Sequence, residues 1–403
     1  MNMRAEIPSD FSMVDADEAM QRASSLVATL RERAPACEAA RAPLPETLRD
    51  LHQLGLFRYH QPQSRGGMEL DYVAIVDISA EIARGCPSTA WNVANLGSHH
   101  FLLSLYPQQA QEDVWGASRD HLIASALAFP AGRGKKVDGG FVISGSWPFS
   151  SGVDASEWNM LAVTIRTAPD APPTDHRLCL VHKSEYEIVD NWFAAGLKGT
   201  GSKQVVCNEI FVPMHRALCM ADIRGGEHPG AAANPGPLFR VPLVALGGHT
   251  LAGPALGNAQ AAFEIFLETN RSRKTHYTAA KISDFQAVQI KVASASAQID
   301  AARTLLRADA AEAMAIARGG QIPDLHTKLK YRKNAAFCVQ LCTQAVDTVF
   351  SMTGANGLYE NSPLQRCFRD AHAIQSHVNF AFDVAGSAFG QHALGGQVRN
   401  PML

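Results

Sequence analysis

His121-Leu-Ile-Ala-Ser-Ala-Leu-Ala128 and Gly140-Phe-Val-Ile-Ser-Gly-Ser-Trp-Pro-Phe-Ser-Ser-Gly152 mark the place where the apolar pattern of this chain changes period. Upstream, apolar residues recur every three or four positions, the spacing of one helix face. Here they fall in short β-branched and aromatic runs closed by Gly, Pro and Asp, which reads as strands. Asp138-Gly139-Gly140 is a hairpin signal, because such turns need residues that tolerate positive φ. Trp158–Ile165, Leu178–His182 and Val205–Val212 continue the pattern, with a Pro-rich surface turn at Pro169–Thr174. Residues 119–225 therefore read as a small β domain of about six to eight strands.

Working outward, Met20, Ala23, Leu26, Val27 and Leu30 line one helix face, and Pro45 opens a short helix stopped by Gly55. Helices are expected over Asp71–Arg84, Ser88–Leu105 and Pro107–Trp115, which makes residues 1–118 a helical domain. After a Gly/Pro/Ala linker at Gly225–Pro237, residues 226–403 turn helical again. The segments Pro254–Arg273, Ile282–Ala317, Leu325–Met352 and Pro363–Ala388 predict an antiparallel four-helix bundle whose long apolar faces suit contact with further subunits. The expected class is α+β: helices, a barrel-like β domain, then a bundle.

Composition narrows the function. The chain has 403 residues, 46% of them hydrophobic, with 36 basic against 38 acidic side chains. A net charge of −2 argues against nucleic-acid binding. No apolar run reaches the roughly 18 residues of a membrane span, and the N-terminus is too polar for a secretory leader. The eight cysteines form no CxxC and read as buried thiols of a reducing, cytoplasmic compartment. Gly132-Arg-Gly134-Lys-Lys and Gly199-Thr-Gly201-Ser-Lys-Gln fail the phosphate-cradle frames, the second because it leads into a strand. His99 and His100 are adjacent and diverge on a helix, so no metal site is expected.

Several segments carry a resemblance. Leu54-Gly-Leu-Phe57, Gly145–Gly152, Gly196-Leu-Lys-Gly-Thr-Gly-Ser202, Phe211-Val-Pro213, Ile282–Gln286, Gly354-Ala-Asn-Gly357 and Arg369-Asp-Ala371 follow the order and separations of the acyl-CoA dehydrogenase fold. The base of those dehydrogenases is a Glu shortly after Arg-Asp-Ala; Val378 stands there, and the alternative place before Ala252-Gly-Pro254 carries no carboxylate either. Without a positioned base a carbon acid is not deprotonated efficiently.

Ser88-Thr-Ala-Trp91, Gly97-Ser-His99, Gln108–Trp115, Trp147–Gly152 and Arg369–His377 instead resemble the oxygenase components of two-component flavin monooxygenases on this fold. These are the p-hydroxyphenylacetate and secosteroid phenol hydroxylases and their indole-oxygenating relatives. The resemblance implies reduced flavin (FMNH2 or FADH2) delivered by a separate flavin reductase, O2, a C4a-hydroperoxyflavin and a small aromatic substrate. It also implies a homotetramer. It assigns His377 to the peroxide, His99 (with His100 as competitor) to the substrate hydroxyl, and Ser150 (with Ser151 as near alternative) to flavin N5. Trp147 and Ser125 are expected beside the flavin, and Arg271 and Arg273, in Arg271–His276, at its phosphate. The alternatives are an N- or S-oxygenating relative, a flavin dehydrogenase using Asp383 or Glu360, and a non-catalytic protein of the same fold.

Overall fold

The computed structural model describes residues 7–168, 170–275 and 278–398; Pro169, from the Pro-rich turn, and His276 lie outside them. Five α-helices come first: α1 (Ala16–Ala40), α2 (Pro45–Gln53), α3 (Val73–Ala83), α4 (Pro87–Ser104) and α5 (Gln108–Trp115). Asp15 caps α1 by accepting the Glu18 N–H at 2.9 Å, and Pro45 occupies the first turn of α2, where a missing N–H costs nothing.

Eight strands follow among the described residues: β1 (Ile123–Ala126), β2 (Gly132–Val137), β3 (Gly140–Ser150), β4 (Trp158–Ile165), β5 (Asp175–His182), β6 (Glu187–Val189), β7 (Lys203–Pro213) and β8 (Ala217–Cys219). They form one sheet in the order β6-β7-β3-β2-β4-β5-β8, with β1 pairing parallel to β4. Gly139, at φ +76°, turns β2 into β3 as the Asp-Gly-Gly signal requires. All eight residues of β4 are buried, which is why its sequence runs apolar instead of alternating.

The C-terminal helices are α6 (Leu243–Asn270), α7 (Gln286–Arg318), α8 (Leu325–Phe350), α9 (Pro363–Gln375) and α10 (Phe382–Ala393). Two expectations are corrected here. Helix α6 begins eleven residues before Pro254 and carries that proline inside. The proline cannot donate a helix hydrogen bond, but burial of the helix against α3, α4 and α8 outweighs that loss. The single segment Pro363–Ala388 is two helices, broken at Ser376–Ala381. There His377 Nδ1 accepts the Asn379 N–H at 3.2 Å and Phe380 is buried, so a capped turn replaces the helix ladder.

Small residues decide how closely the layers meet. A Cβ on Gly253 would lie 1.9 Å from Ser79 Oγ, and one on Gly257 1.9 Å from the Ala80 carbonyl oxygen, so α6 crosses α3 backbone to backbone. Gly257→Ala forces two packed helices apart and is expected to lower the unfolding free energy by about 1–3 kcal/mol. Gly390→Ala, on α10 with nothing within 4 Å of its Cβ, is the matched control and should be neutral or slightly stabilising. Urea titrations followed by circular dichroism compare the two; equal midpoints would remove the close crossing as a determinant of stability.

Candidate functional site

Every residue of α4 except Asn95 is buried, so its polar side chains must find partners inside the protein. Ser98 and Ser104 donate to carbonyls of α4 itself, Trp91 and His99 reach the β domain, and both amide atoms of Asn92 stay without a described partner. The Trp91 indole N–H donates to Ser151 Oγ at 3.1 Å, and its ring meets His377 edge-on at 5.6 Å. His99, two turns further along α4, donates from Nδ1 to the Ile123 carbonyl of β1 at 2.6 Å. His100 points the other way: its Nδ1 accepts from Trp115 at 3.2 Å and the two rings stack inside the helical layer. Only His99 therefore faces the sheet.

The partners of His99 and His377 define opposite polarities. A carbonyl can only accept, so neutral His99 carries its proton on Nδ1 and offers Nε2 as an acceptor. His377 accepts a backbone N–H on Nδ1, so its neutral ring offers an Nε2–H donor. Burial pushes both imidazoles down to about 4, which keeps them neutral at pH 7.

Ser151 is the junction of the site. Beyond the Trp91 contact, its hydroxyl lies 2.8 Å from Ser202 Oγ, which lies 2.7 Å from Thr200 Oγ1, which donates to the Leu197 carbonyl at 2.9 Å. Gly152, at φ +70°, donates its N–H to the Thr200 carbonyl at 2.9 Å and packs against Leu96 and Asn92 of α4. The segment 196–202 is itself clamped. Leu197 adopts the left-handed region at φ 50°, and its N–H is held by Asp370 Oδ1 at 2.7 Å. A Cβ on Gly196 would meet the Arg369 carbonyl oxygen at 2.3 Å. Burial pushes the Asp370 carboxyl up to about 7, against the pull of the Leu197 N–H. Arg369 pairs with Glu38 of α1 and donates to the Ala195 carbonyl, closing the clamp.

Next to this row Phe149 holds a left-handed backbone (φ 65°) with its ring 68% exposed. A left-handed backbone at a non-glycine residue persists where its surroundings hold it. Phe149 meets Trp192 edge-on at 6.3 Å, and with Pro148, Asn191, Phe193 and Ser202 these residues line a cavity of about 220 Å³.

Two residues expected beside the flavin have other partners in this geometry. Trp147 is wholly buried, donates to the Ala162 carbonyl at 2.7 Å and packs against Gly132 and Gly145, so it is core of the sheet. Ser150 points inward and accepts from Asn159 Nδ2 at 2.9 Å, while the next residue, Ser151, faces α4. The one-residue difference follows from the strand end, where successive side chains take opposite faces. Ser125 lies two residues after the His99 partner on β1 and is 9% exposed. Arg273 is held at the far end of α6 by Asn270 and the Thr353 carbonyl, and Arg271 is exposed beside it; no described contact joins either to the His377 cluster. Glu360 and Asp383 are exposed, also without a described contact to it. Thr200 and Ser202 escaped assignment, although the Gly196–Ser202 motif contains both; hydroxyls between glycines signal a turn more readily than a site.

Residues 17–115 match the acyl-CoA dehydrogenase N-terminal domain, and residues 249–382 match its C-terminal domain. The chain is 34% identical over 359 residues to the flavin-dependent monooxygenase oxygenase subunit HsaA of Rhodococcus jostii, covering 89% of this chain and 93% of that one. It is 32% identical over 384 residues to the oxygenase component of the FADH(2)-dependent resorcinol hydroxylase of a Rhizobium species, covering 93% of each. The crystal structure of 3-HSA hydroxylase from a Rhodococcus species superposes with a TM-score of 0.90 at 33% identity, over 96% of this chain and 99% of that one. XiaF from a Streptomyces species, in complex with FADH2 and glycerol, gives a TM-score of 0.89 at 26% identity over 96% and 98%. A helix–sheet–bundle chain with its polar side chains gathered around Trp91, aligned nearly end to end with such relatives, belongs to the oxygenase components of the flavin-dependent monooxygenases, enzymes built on the acyl-CoA dehydrogenase fold.

Proposed function

We propose that this chain hydroxylates a small phenolic or indolic ring, using flavin reduced by a separate reductase. Reduced flavin supplies the two electrons with which O2 is divided between the substrate and water. The observation that carries the reading is a pair of neutral histidines of opposite polarity: His377, edge-on to Trp91, offers an N–H donor, and His99, on the same helix as Trp91, an acceptor. Ring hydroxylation asks for both, a donor toward the reacting oxygen and an acceptor that draws the substrate's O–H or N–H proton and enriches the ring.

The residues present suit a flavin. The open cavity walled by Phe149 and Trp192 suits a flat heteroaromatic ring, with Ser202 on its lining and Ser151 joined to Ser202 behind it. We assign Ser151 to the N5 edge in preference to Ser150, which is wholly buried and faces Asn159. Ser125 is proposed at the same face. Arg271 and Arg273 are proposed to grip the phosphates, as guanidinium groups do in pairs. The resorcinol hydroxylase and XiaF relatives favour FADH2 over FMNH2. Leu358, Tyr359, Val378, Phe382 and Val384 present exposed apolar surface near the end of the bundle, which supports assembly into a homotetramer. The free thiol state of all eight cysteines suits a cytoplasmic enzyme.

Mixing the protein and anaerobically reduced FAD with O2 in a stopped flow should give a transient absorbance band distinct from reduced and oxidised flavin. Direct reoxidation with no such band would reject the oxygenase reading. His377→Ala should shorten the transient by about tenfold or more, the scale of one lost hydrogen bond in a dry site, whereas His377→Gln, which keeps an N–H donor, should retain most of the lifetime. Because both histidines are neutral from about pH 5 upward, the hydroxylation rate of the pre-loaded enzyme should be flat between pH 6 and 8. An inflection near pH 6.5 that vanishes in His377→Gln would show an imidazolium acid instead.

A further inference from the structure

The hydroxyl row behind Ser151 has only one possible direction. Thr200 Oγ1 and the Leu197 carbonyl oxygen are 2.9 Å apart, and two oxygens at that distance need a proton between them. The carbonyl has none, so the Thr200 proton sits there. Ser202 Oγ, 2.7 Å from Thr200, must then donate to it, and Ser151 Oγ, 2.8 Å from Ser202, must donate in turn. The Trp91 N–H fills one of the two lone pairs left on Ser151. What Ser151 retains is a single lone pair: toward any ligand it can accept and cannot donate. Thr200 is wholly buried and Ser202 and Ser151 nearly so, so water does not readily offer the row another proton arrangement.

We infer that Thr200 and Ser202 are positioning residues that set the hydrogen-bond polarity of Ser151 and thereby select reduced over oxidised flavin. This rests on the flavin reading given above. Reduced flavin carries an N–H at N5 and oxidised flavin carries only a lone pair there, so an obligate acceptor favours the first and repels the second. If the row is cut at Thr200, the Ser202 and Ser151 hydroxyls can turn, and Ser151 can donate to the oxidised ring as well as accept from the reduced one. The left-handed Leu197 and its Asp370 clasp are what hold the terminal carbonyl in place.

The test is equilibrium binding. Dissociation constants for reduced FAD, measured anaerobically, and for oxidised FAD give a selectivity ratio in the wild-type protein, in Thr200→Val and in Thr200→Ser. Thr200→Val keeps the buried volume and removes the proton sink; it should cut the ratio by about tenfold, mainly through tighter binding of oxidised FAD. Thr200→Ser keeps the hydroxyl and should hold the wild-type ratio. Ser202→Ala breaks the row at the next link and should act like Thr200→Val, so the inference stays testable if the Val variant does not fold. A ratio unchanged in both folded variants, or a wild-type protein that binds the two forms equally, would overturn the polarity argument while leaving flavin binding intact. A wild-type protein that binds neither form would overturn the flavin reading and this inference with it.

Discussion

A helix with no solvent face imposes the constraint on which the site is built. Helix α4 is packed against helices on one side and the sheet on the other, so the partners its polar groups find are other parts of the protein. Trp91 reaches Ser151 at the end of β3, and His99 reaches the Ile123 carbonyl of β1. These contacts tie the first helical layer to the β domain. They also settle which nitrogen of His99 bears its proton. Structural satisfaction and chemical orientation are the same set of hydrogen bonds.

The segment 196–202 makes the second half of that arrangement. It runs through left-handed Leu197 and Gly201 and is pinned by Asp370 from α9, while Cys37 of α1 closes over Gly199, whose Cβ would sit 2.3 Å from its sulfur. Such a conformation persists only where the surroundings over-determine it. The result is a rigid carbonyl at Leu197 from which the polarity of three hydroxyls follows. On the opposite side the break between α9 and α10 turns His377 out of a helix ladder and toward the Trp91 ring. A continuous helix would have placed that imidazole elsewhere, so the break is part of the site.

The legible features in the sequence were those carried by periodicity and turn chemistry. The change near His121, the Asp-Gly-Gly hairpin and the long helical segments follow from local backbone preferences, and the strands and helices lie close to where those preferences put them. The boundaries that missed, at Pro254 and at Ser376–Ala381, are places where packing opposes propensity. Pro254 is tolerated because its helix is buried, and the helix near His377 stops because a side chain competes for a backbone N–H. Trp147 shows the other kind of ambiguity. An aromatic residue at a strand end reads equally as core or as pocket wall, and only the glycines opposite it, Gly132 and Gly145, make room for the ring inside.

Beside the fold it resembles, the sequence lacks a carboxylate at the dehydrogenase position; what it determined by itself was the order of helices, strands and bundle and the pool of residues from which a site could be drawn. Those are properties of neighbours along the chain. Tertiary structure decided that Ser151 and not Ser150 turns toward α4, that His99 faces the sheet while His100 stacks on Trp115, and that Thr200 and Ser202 belong to the same row. Each of those outcomes depends on an acceptor or donor supplied from a segment distant in sequence. A hydrogen bond has a direction that neither partner's identity alone can set.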